Sequence, residues 1–250
     1  MTRRKAPMIA VLVVLVLVAA LLGGELYVRQ QIKSCLAGQL ENELGSEVEV
    51  GLGWKPILIS LVDKQVSSVT LDSNDARFGP AVDMTVSAEV EDVDLEQSAE
   101  SGGTIGSSNA DIAWSTEGIA ATLQSQGIGG LVSDVTSDAS TGTLSFAIGG
   151  LAQLTVEPTV AGDRVDVRTV DASILGLGIP TDLVDSIVGI LSDSLQQYPL
   201  DMTPTSLTVT DTGIELQLEG GAYVIPPRQA DQTVEHPRAA VCSPERNLAR

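Results

Sequence analysis

The sequence predicts an α+β fold built from a strongly curved antiparallel β-sheet and two amphipathic helices. Apolar residues recur at every third or fourth position over residues 25–44 and again over residues 182–197, which is the spacing of one helix face. From residue 48 onward, most apolar and polar residues instead alternate, as they do in half-buried strands. These strand patterns follow one another through short turns rather than alternating with helices, which argues against a parallel nucleotide-binding sheet.

The first predicted helix, residues 25–44, begins directly after an apolar N-terminal segment and ends at Gly45, a natural helix terminator. Its apolar stripe repeats every four residues and consists of Val28, Ile32, Leu36, Leu40 and Leu44. Such a stripe packs against a protein core or lies against a membrane or a ligand. The sequence leaves these alternatives open.

The longest predicted strand is the main reason to expect strong curvature. Its alternating apolar residues are Val82, Met84, Val86, Ala88 and Val90. Beyond Val90 the phase slips by one, because Val93 and Leu95 continue on odd-numbered positions. A slip without a turn is typical of a β-bulge, and bulges bend the strands that contain them.

Two further helices are predicted in the second half of the chain. The shorter one starts at an N-cap, Thr116, and ends near Gly127. The longer one is capped by Thr181 and spans residues 182–197. Its apolar face consists of Leu183, Val184, Ile187, Val188, Leu191 and Leu195.

Turn and loop signals divide the rest of the chain. Turns close three predicted hairpins, at residues 149–150, 161–163 and 211–213. Two polar stretches, 98–109 and 133–142, are predicted to be loops. The Pro-rich polar segment 226–250 is predicted to be a disordered tail, which leaves residues 25–225 as the folded domain.

The N-terminus predicts export. A basic cluster ending at Lys5 precedes 19 uncharged residues before Glu25, within the roughly 17–25 residues that a membrane-spanning helix needs. The basic flank predicts a cytoplasmic N-terminus and an extracytoplasmic main domain. Two interpretations remain open for residues 1–24: a retained single-pass signal anchor in the cell membrane, or a signal peptide whose cleavage releases a secreted protein.

Charge and aromatic content restrict the partners. A net charge of −19 repels phosphate backbones, so nucleic acid is excluded as a partner. Aromatic residues make up only 3% of the chain, so the core must be mostly Val, Leu and Ile. Trp54, beside Lys55, is a candidate for the membrane interface, where indole rings accumulate. Partial burial in the core is the alternative for Trp54.

The chain contains two cysteines, Cys35 and Cys242. This number excludes a disulfide-rich scaffold, whereas an oxidising extracytoplasmic compartment permits one bridge between them. Such a bridge would fix the tail to the first helix. Two free thiols are the alternative.

The sequence lacks the parts that most enzymes require. Its single histidine, His236, lies in the polar tail, which argues against His-based triads and His-rich metal sites. No nucleophile elbow, Walker loop or dinucleotide-binding glycine motif occurs. Acidic clusters at 72–75 and 91–96 do not have the spacing of an EF-hand loop. We therefore predict no catalytic residue, no metal and no cofactor.

Aliphatic surface is what the sequence has in abundance. Two amphipathic helices and a curved sheet lined by Val, Leu and Ile can enclose a groove for acyl chains, which need few directional contacts. The same residues can instead fill a dry core. The patterning alone favours the dry core, since most apolar faces pack against protein.

The order of the features resembles that of the LmeA-type phospholipid-binding family of actinobacterial envelope proteins, formerly known only as a domain of unknown function. The resemblance covers residues 25–225 and rests on short segments in a fixed order. These segments are residues 28–44, 48–50, 56–62, 68–71, 82–95, 116–119, 179–180, 198–200 and 207–214. The acidic loops and the Pro-rich tail with Cys242 depart from the family's pattern.

The resemblance implies a tubular lipid-binding-like fold, in which a curved antiparallel sheet wraps around a long helix and encloses an elongated apolar cavity. It also implies a non-enzymatic protein that binds phospholipid, phosphatidylinositol-type lipids in particular, and supports envelope glycolipid synthesis or maintenance. The expected acyl-chain contacts are Leu36, Leu40, Leu44, Val82, Met84, Val86, Ile187, Leu191 and Leu195. The alternative is a membrane-anchored adaptor of an envelope glycosyltransferase that has no lipid ligand.

Overall fold

The computed structural model describes residues 5–150, 152–174, 181–196 and 198–227, with side chains described except at residues 5–14, 42–44 and 173–174. Its helices are α1 (Lys5–Leu44), α2 (Ile57–Asp63), α3 (Thr116–Ser125) and α4 (Thr181–Ser194), with a 3-10 turn at Pro199–Asp201. The strands of the first half are β1 (Val48–Leu52), β2 (Gln65–Phe78), β3 (Ala81–Asp94), β4 (Gly103–Ile105) and β5 (Ser107–Ser115). Those of the second half are β6 (Val132–Asp138), β7 (Thr143–Ile148), β8 (Ala152–Ala161), β9 (Arg164–Ile174), β10 (Thr203–Thr210), β11 (Gly213–Gly220) and β12 (Tyr223–Ile225).

The strands form two antiparallel sheets, and the prediction of an α+β fold with antiparallel pairing is confirmed. The larger sheet has the order β1-β2-β3-β5-β11-β10, with β4 paired to both β3 and β12. The smaller sheet has the order β6-β7-β8-β9. Neither sheet closes on itself, so each keeps two edges. The predicted hairpins at 149–150, 161–163 and 211–213 all form.

A continuous hydrophobic core joins the two sheets, α3 and α4. Its largest fully buried side chains include Trp114 on β5, Phe146 on β7 and Ile119 on α3. Helix α3 packs on β3, β5 and β6, and α4 packs on β9. Strand β10 contacts β6, β8 and β9, which brings the free edge of the larger sheet against the smaller one.

Helix α1 lies outside this core. The apolar N-terminal segment and the predicted amphipathic helix form one continuous helix that packs against β1, β2 and α2. None of its residues with described side chains is buried. The described side chains of α1 thus lie outside the core cluster, whereas α3 and α4 both contribute to it. Wrapping of the sheet around a long helix stays a prediction.

The long strand β3 shows two changes of phase. Its buried residues Met84 and Val86 are even-numbered, whereas Val93 is buried on an odd position, and Asp92 between them has a φ of 52°. A second irregularity, not predicted, lies at Asp83, whose φ is 61°, opposite the register shifts of β2. The predicted slip after Val90 is therefore present, and a further one precedes Met84.

Three local predictions were wrong. The predicted loop 133–142 contains most of β6, an edge strand that buries only Val135 and so shows almost no apolar alternation. The predicted loop 98–109 contains β4 and the start of β5. The N-cap of α3 is Ser115, whose hydroxyl accepts the Gly118 N–H at 3.0 Å, because Thr116 is already helical. The part of the predicted disordered tail from residue 228 on lies outside the described residues.

Candidate functional site

One face of the larger sheet is apolar across most of its width, and we call it the inner face. Strand register groups its residues into rows that cross the sheet. One row joins Val50, Leu71, Ala88, Ala110 and Leu218. The next joins Val48, Ser73, Val86, Ile112, Leu216 and Leu207.

The opposite, outer face of the same sheet is polar and largely acidic. A representative row joins Glu49, Asp72, Ser87, Asp111 and Gln217. The Ser87 hydroxyl donates to the Asp72 carboxylate at 2.7 Å, and the Gln217 amide donates to Asp111 at 3.0 Å. The alternation that predicted half-buried strands thus separates an aliphatic surface from an acidic one.

Burial along the inner face changes from one end of the strands to the other. At one end the row of Met84, Trp114, Ile214 and Val209 is buried, with Met84 only 2% exposed. At the other end the row of Leu52, Val69 and Val90 is half-exposed, as are Leu71 and Ala88 beside it. We call these five residues, Leu52, Val69, Leu71, Ala88 and Val90, the open end of the inner face.

The length of this gradient suits an elongated apolar ligand. Met84 and Val90 are six residues apart on β3, which corresponds to about 20 Å along a strand. The open end lies where β1 finishes and β2 begins, next to α2 and α1. An apolar chain that entered at this end would run along mostly aliphatic side chains before reaching the closed core, with Ser73 and Ser108 as the buried polar exceptions.

Eight of the nine residues predicted to contact acyl chains fall into two groups, and Val82 belongs to neither. Met84, Val86, Ile187, Leu191 and Leu195 are buried together in the hydrophobic core. Leu36 and Leu40 lie on α1, half-exposed and outside that core cluster, and the side chain of Leu44 lies outside the described residues. Contact of any of them with lipid stays a prediction.

Val82 differs from its predicted neighbours on β3 because its backbone is held by side chains. Its N–H donates to the Thr122 hydroxyl at 3.0 Å, and its carbonyl accepts the Trp114 indole N–H at 3.1 Å. With Asp83 in the left-handed region, Val82 leaves the phase of Met84 and is half-exposed. The sequence contained no direct signal for this arrangement.

The open end was missed as a candidate although its signal was present. Val69 and Leu71 alternate with polar residues just as Met84 and Val86 do. What the sequence could not reveal is how far the core extends along this face: Leu71 and Ala88 still pack against the core cluster, whereas Leu52, Val69 and Val90 lie outside it. Exposure of an apolar strand face depends on which element covers it, and no local pattern records that.

A polar cleft of about 540 Å³ lies near the C-terminal end of α1, among residues 45–49, 72–75 and 85–87. Its acidic side chains are those of Glu47, Glu49, Asp72 and Asp75. These charges favour neither an acyl chain nor a phosphate. Within the described part of the chain, no group of three His, Cys, Asp or Glu residues could hold a metal ion.

The segment that contains Trp54 and Lys55 connects β1 to α2. The Trp54 side chain is 87% exposed, and the Lys55 ammonium pairs with Asp63 at 2.7 Å. The hydrogen bond from Lys55 lowers the pKa of Asp63. Cys35 lies on α1, whereas Cys242 lies outside the described residues, so their pairing stays a prediction.

The sequence model of the LmeA-like phospholipid-binding family matches residues 19–219. The chain belongs to this family. The match spans α1 from within its apolar segment to β11, so it includes both the inner face and the segment around Trp54. The family is a lipid-binding family rather than an enzyme family, which agrees with the aliphatic site and the absence of catalytic motifs from the sequence.

Mycobacterial proteins are among the relatives. An uncharacterized protein of Mycobacterium bovis and uncharacterized proteins of two strains of Mycobacterium tuberculosis are each 28% identical over 220 residues. These alignments cover 84% of this chain and 63% of the relatives' length. No solved structure matches the chain.

The N-terminal part of α1 fits a signal anchor or a single membrane span. A stretch long and apolar enough to cross a bilayer occurs, within the described side chains, at Leu15–Glu41, and none of it is buried inside the protein. The predicted basic cluster before it begins in residues 1–4, which lie outside the described residues. Topology across the membrane stays a prediction.

Proposed function

We propose that the protein is a non-enzymatic phospholipid-binding protein of the cell envelope, tethered by α1, with its main domain outside the cytoplasm. The acyl chains of the ligand lie along the inner face, which curves around them as an elongated apolar cavity. The observation that carries this proposal is the burial gradient of the inner face, from the closed core at Met84 to the half-exposed row at Val90. Membership in a phospholipid-binding family supports the same conclusion.

The arrangement of charge supports a ligand held mainly by its tails. The outer face is acidic and would repel an anionic headgroup, so the headgroup has to remain at the open end. Two basic residues flank α2 at this end of the sheet: Lys64, which follows the helix, and Lys55, whose ammonium pairs with Asp63. We include phosphatidylinositol-type lipids as the expected ligand class, with transfer of lipid for envelope glycolipid synthesis or maintenance as the expected role.

The test uses the full-length protein in vesicles that contain a trace of phospholipid with a photoactivatable group near the acyl terminus. After irradiation, cross-linked peptides are located by mass spectrometry. We expect adducts on the inner-face residues of β2 and β3. The surrounding bilayer should label the apolar segment of α1 whether or not lipid binds at the inner face. Adducts on this segment therefore serve as the internal positive control.

Adjacent residues of β3 provide matched variants. Val90→Gln places an amide on the open end and should lower the yield of sheet adducts several-fold. Glu89→Gln introduces glutamine on the outer face instead and should leave the yield of sheet adducts unchanged. If a correctly folded protein is labelled on α1 alone, the lipid-binding proposal is lost, and the adaptor of an envelope glycosyltransferase becomes the better explanation.

A further inference from the structure

We infer that α2, together with Trp54, is a membrane-docking element that lies in the plane of the bilayer surface and inserts its apolar side chains among the lipid headgroups. The surface that α2 and Trp54 contact is the membrane leaflet from which α1 emerges. The inference does not depend on lipid binding at the inner face, because it concerns how the domain is held on the membrane.

Helix α2 leaves three of its five apolar side chains exposed to solvent. It buries Ile57 and the small polar residue Ser60, while Ile59, Leu61 and Val62 are exposed, Val62 by 83%. A surface helix of a soluble domain turns its apolar side to the core. Together with Trp54, these side chains form a compact apolar surface on one short segment, which isolated exposed residues elsewhere do not.

Two contacts fasten this segment to α1. The Glu25 carboxylate accepts the backbone N–H groups of Ile57 and Leu58, at 2.5 Å and 3.0 Å, and so caps the start of α2. One helical turn later, the Arg29 guanidinium donates to the carbonyls of Leu52 and Gly53. The position of α2 along the axis of α1 is therefore fixed at both sides of the β1–α2 connection.

The length of the uncharged part of α1 sets the depth of α2 relative to the bilayer. Between Lys5 and Glu25 lie 19 residues, which span about 29 Å in a helix. This matches the roughly 30 Å hydrocarbon core of a bilayer. Glu25 thus emerges at the boundary of the leaflet, and the α2 start that it caps lies at the same depth.

The distribution of charge agrees with this orientation. Lys55 and Lys64 flank α2, and Lys64 ends it with a left-handed φ of 59°. Trp residues and basic side chains accumulate at the level of the headgroups. The acidic outer face of the sheet is repelled by an anionic surface, so the end that carries α2 is the end that can approach the membrane.

The two tryptophans make the inference measurable. Trp114 is 1% exposed in the core and provides a constant background, whereas Trp54 reports on the α2 surface. Full-length protein is reconstituted into phosphatidylcholine vesicles with bromine atoms placed at shallow or deep acyl positions. The emission of Trp54 is obtained by subtracting the fluorescence spectrum of Trp54→Phe from that of the wild type.

We expect shallow bromines to quench Trp54 strongly, deep bromines to quench it less, and aqueous iodide to quench it weakly. The double variant Ile59→Ser/Val62→Ser should make the fluorescence of Trp54 accessible to quenching by iodide. Val170→Ser, at a residue 57% exposed on β9, is the matched control and should change nothing. If no brominated lipid quenches Trp54 and iodide quenches it fully, bilayer docking is overturned, whatever the cross-linking at the inner face has shown.

Discussion

Two regions of the molecule differ in how they expose apolar side chains. The first is the region around α3, α4 and the smaller sheet, and the second is the region around α1 and α2. In the first, a few large residues such as Trp114 and Phe146 are enclosed completely by their neighbours. In the second, Trp54, Ile59 and Val62 face outward on a segment that is nevertheless hydrogen-bonded in place. An ordered but uncovered apolar surface indicates that something other than water is its usual neighbour.

The two regions share one sheet, which makes the difference informative. Strands β2 and β3 run from one region into the other, and their inner-face residues are mostly aliphatic in both, with Ser73 as an exception. Local sequence is therefore similar, and the covering elements alone differ. The closed region is expected to provide most of the stability of the domain, while the open region contains the surfaces for which we propose contact with lipid.

The largest expected effect comes from truncating the two tryptophans. Trp114→Ala should lower the free energy of unfolding by about 3–5 kcal/mol, because it leaves a cavity in the core and removes the indole donor to Val82. Trp54→Ala should change it by less than about 0.5 kcal/mol, because an exposed side chain loses little on truncation. Urea denaturation followed by circular dichroism measures both. Equal losses would contradict the division into closed and open regions.

The second effect concerns the predicted bridge between Cys35 and Cys242. If the bridge forms, it ties the end of the chain to α1 in the open region, and its reduction should cost about 2–4 kcal/mol. Thiol labelling of the denatured, unreduced protein checks the pairing by mass. Labelling of both cysteines before reduction would show that the open region has no such covalent restraint.

A smaller effect is expected from Glu25→Ala, which removes the cap of α2. Loss of a helix cap costs about 1 kcal/mol, and here the loss should be local. The amides of Ile57 and Leu58 should exchange hydrogen faster, while those of the core strands keep their protection. Glu41→Ala, at an exposed position on the same helix, is the control. Unchanged exchange at Ile57 in Glu25→Ala would mean that α1 does not hold α2.

Sequence periodicity was sufficient to predict the elements that have one solvent-exposed face and one buried face. It located α3, α4 and the hairpin of β10 and β11, because each places apolar residues at the spacing of a single buried face. It failed for β6, an edge strand that buries little more than Val135. It also gave no indication that α2 is a helix, since a seven-residue apolar segment has no readable period.

The candidate site was predictable in its chemistry and less so in its location. The family resemblance, carried by the order of the segments, indicated an apolar lipid site, and Met84 and Val86 lie on the inner face. The open end at Val69 and Val90 could not be located, because its exposure depends on how far the core extends along this face. The capping of α2 by Glu25, 32 residues away in sequence, was equally invisible.

The smallest expected effect lies at the closed end of β3, at Asp83. Its hydrogen bond to the Asp75 carboxyl, partial burial and the charges of Asp75 and Glu117 raise the pKa of Asp83 above its ordinary 3.8. Between the two pKa values the folded state binds more protons than the unfolded chain, so this group makes stability fall as pH rises through that window. Above both pKa values the carboxylate is ionised in both states and the full penalty is present.

Asp83→Asn should therefore stabilise the protein at pH 7 by about 0.5 kcal/mol, a typical value for an exposed charge interaction. The gain should shrink as the pH falls through the raised pKa and toward 3.8. Asparagine tolerates the left-handed φ of 61° at this position, so no strain offsets the gain. Urea denaturation at several pH values measures the difference, with Glu49→Gln on the outer face as control. A gain that persists unchanged in acid would mean that the carboxylate contacts are not its cause, and that the bulge of β3 is limited by backbone packing against α3 instead.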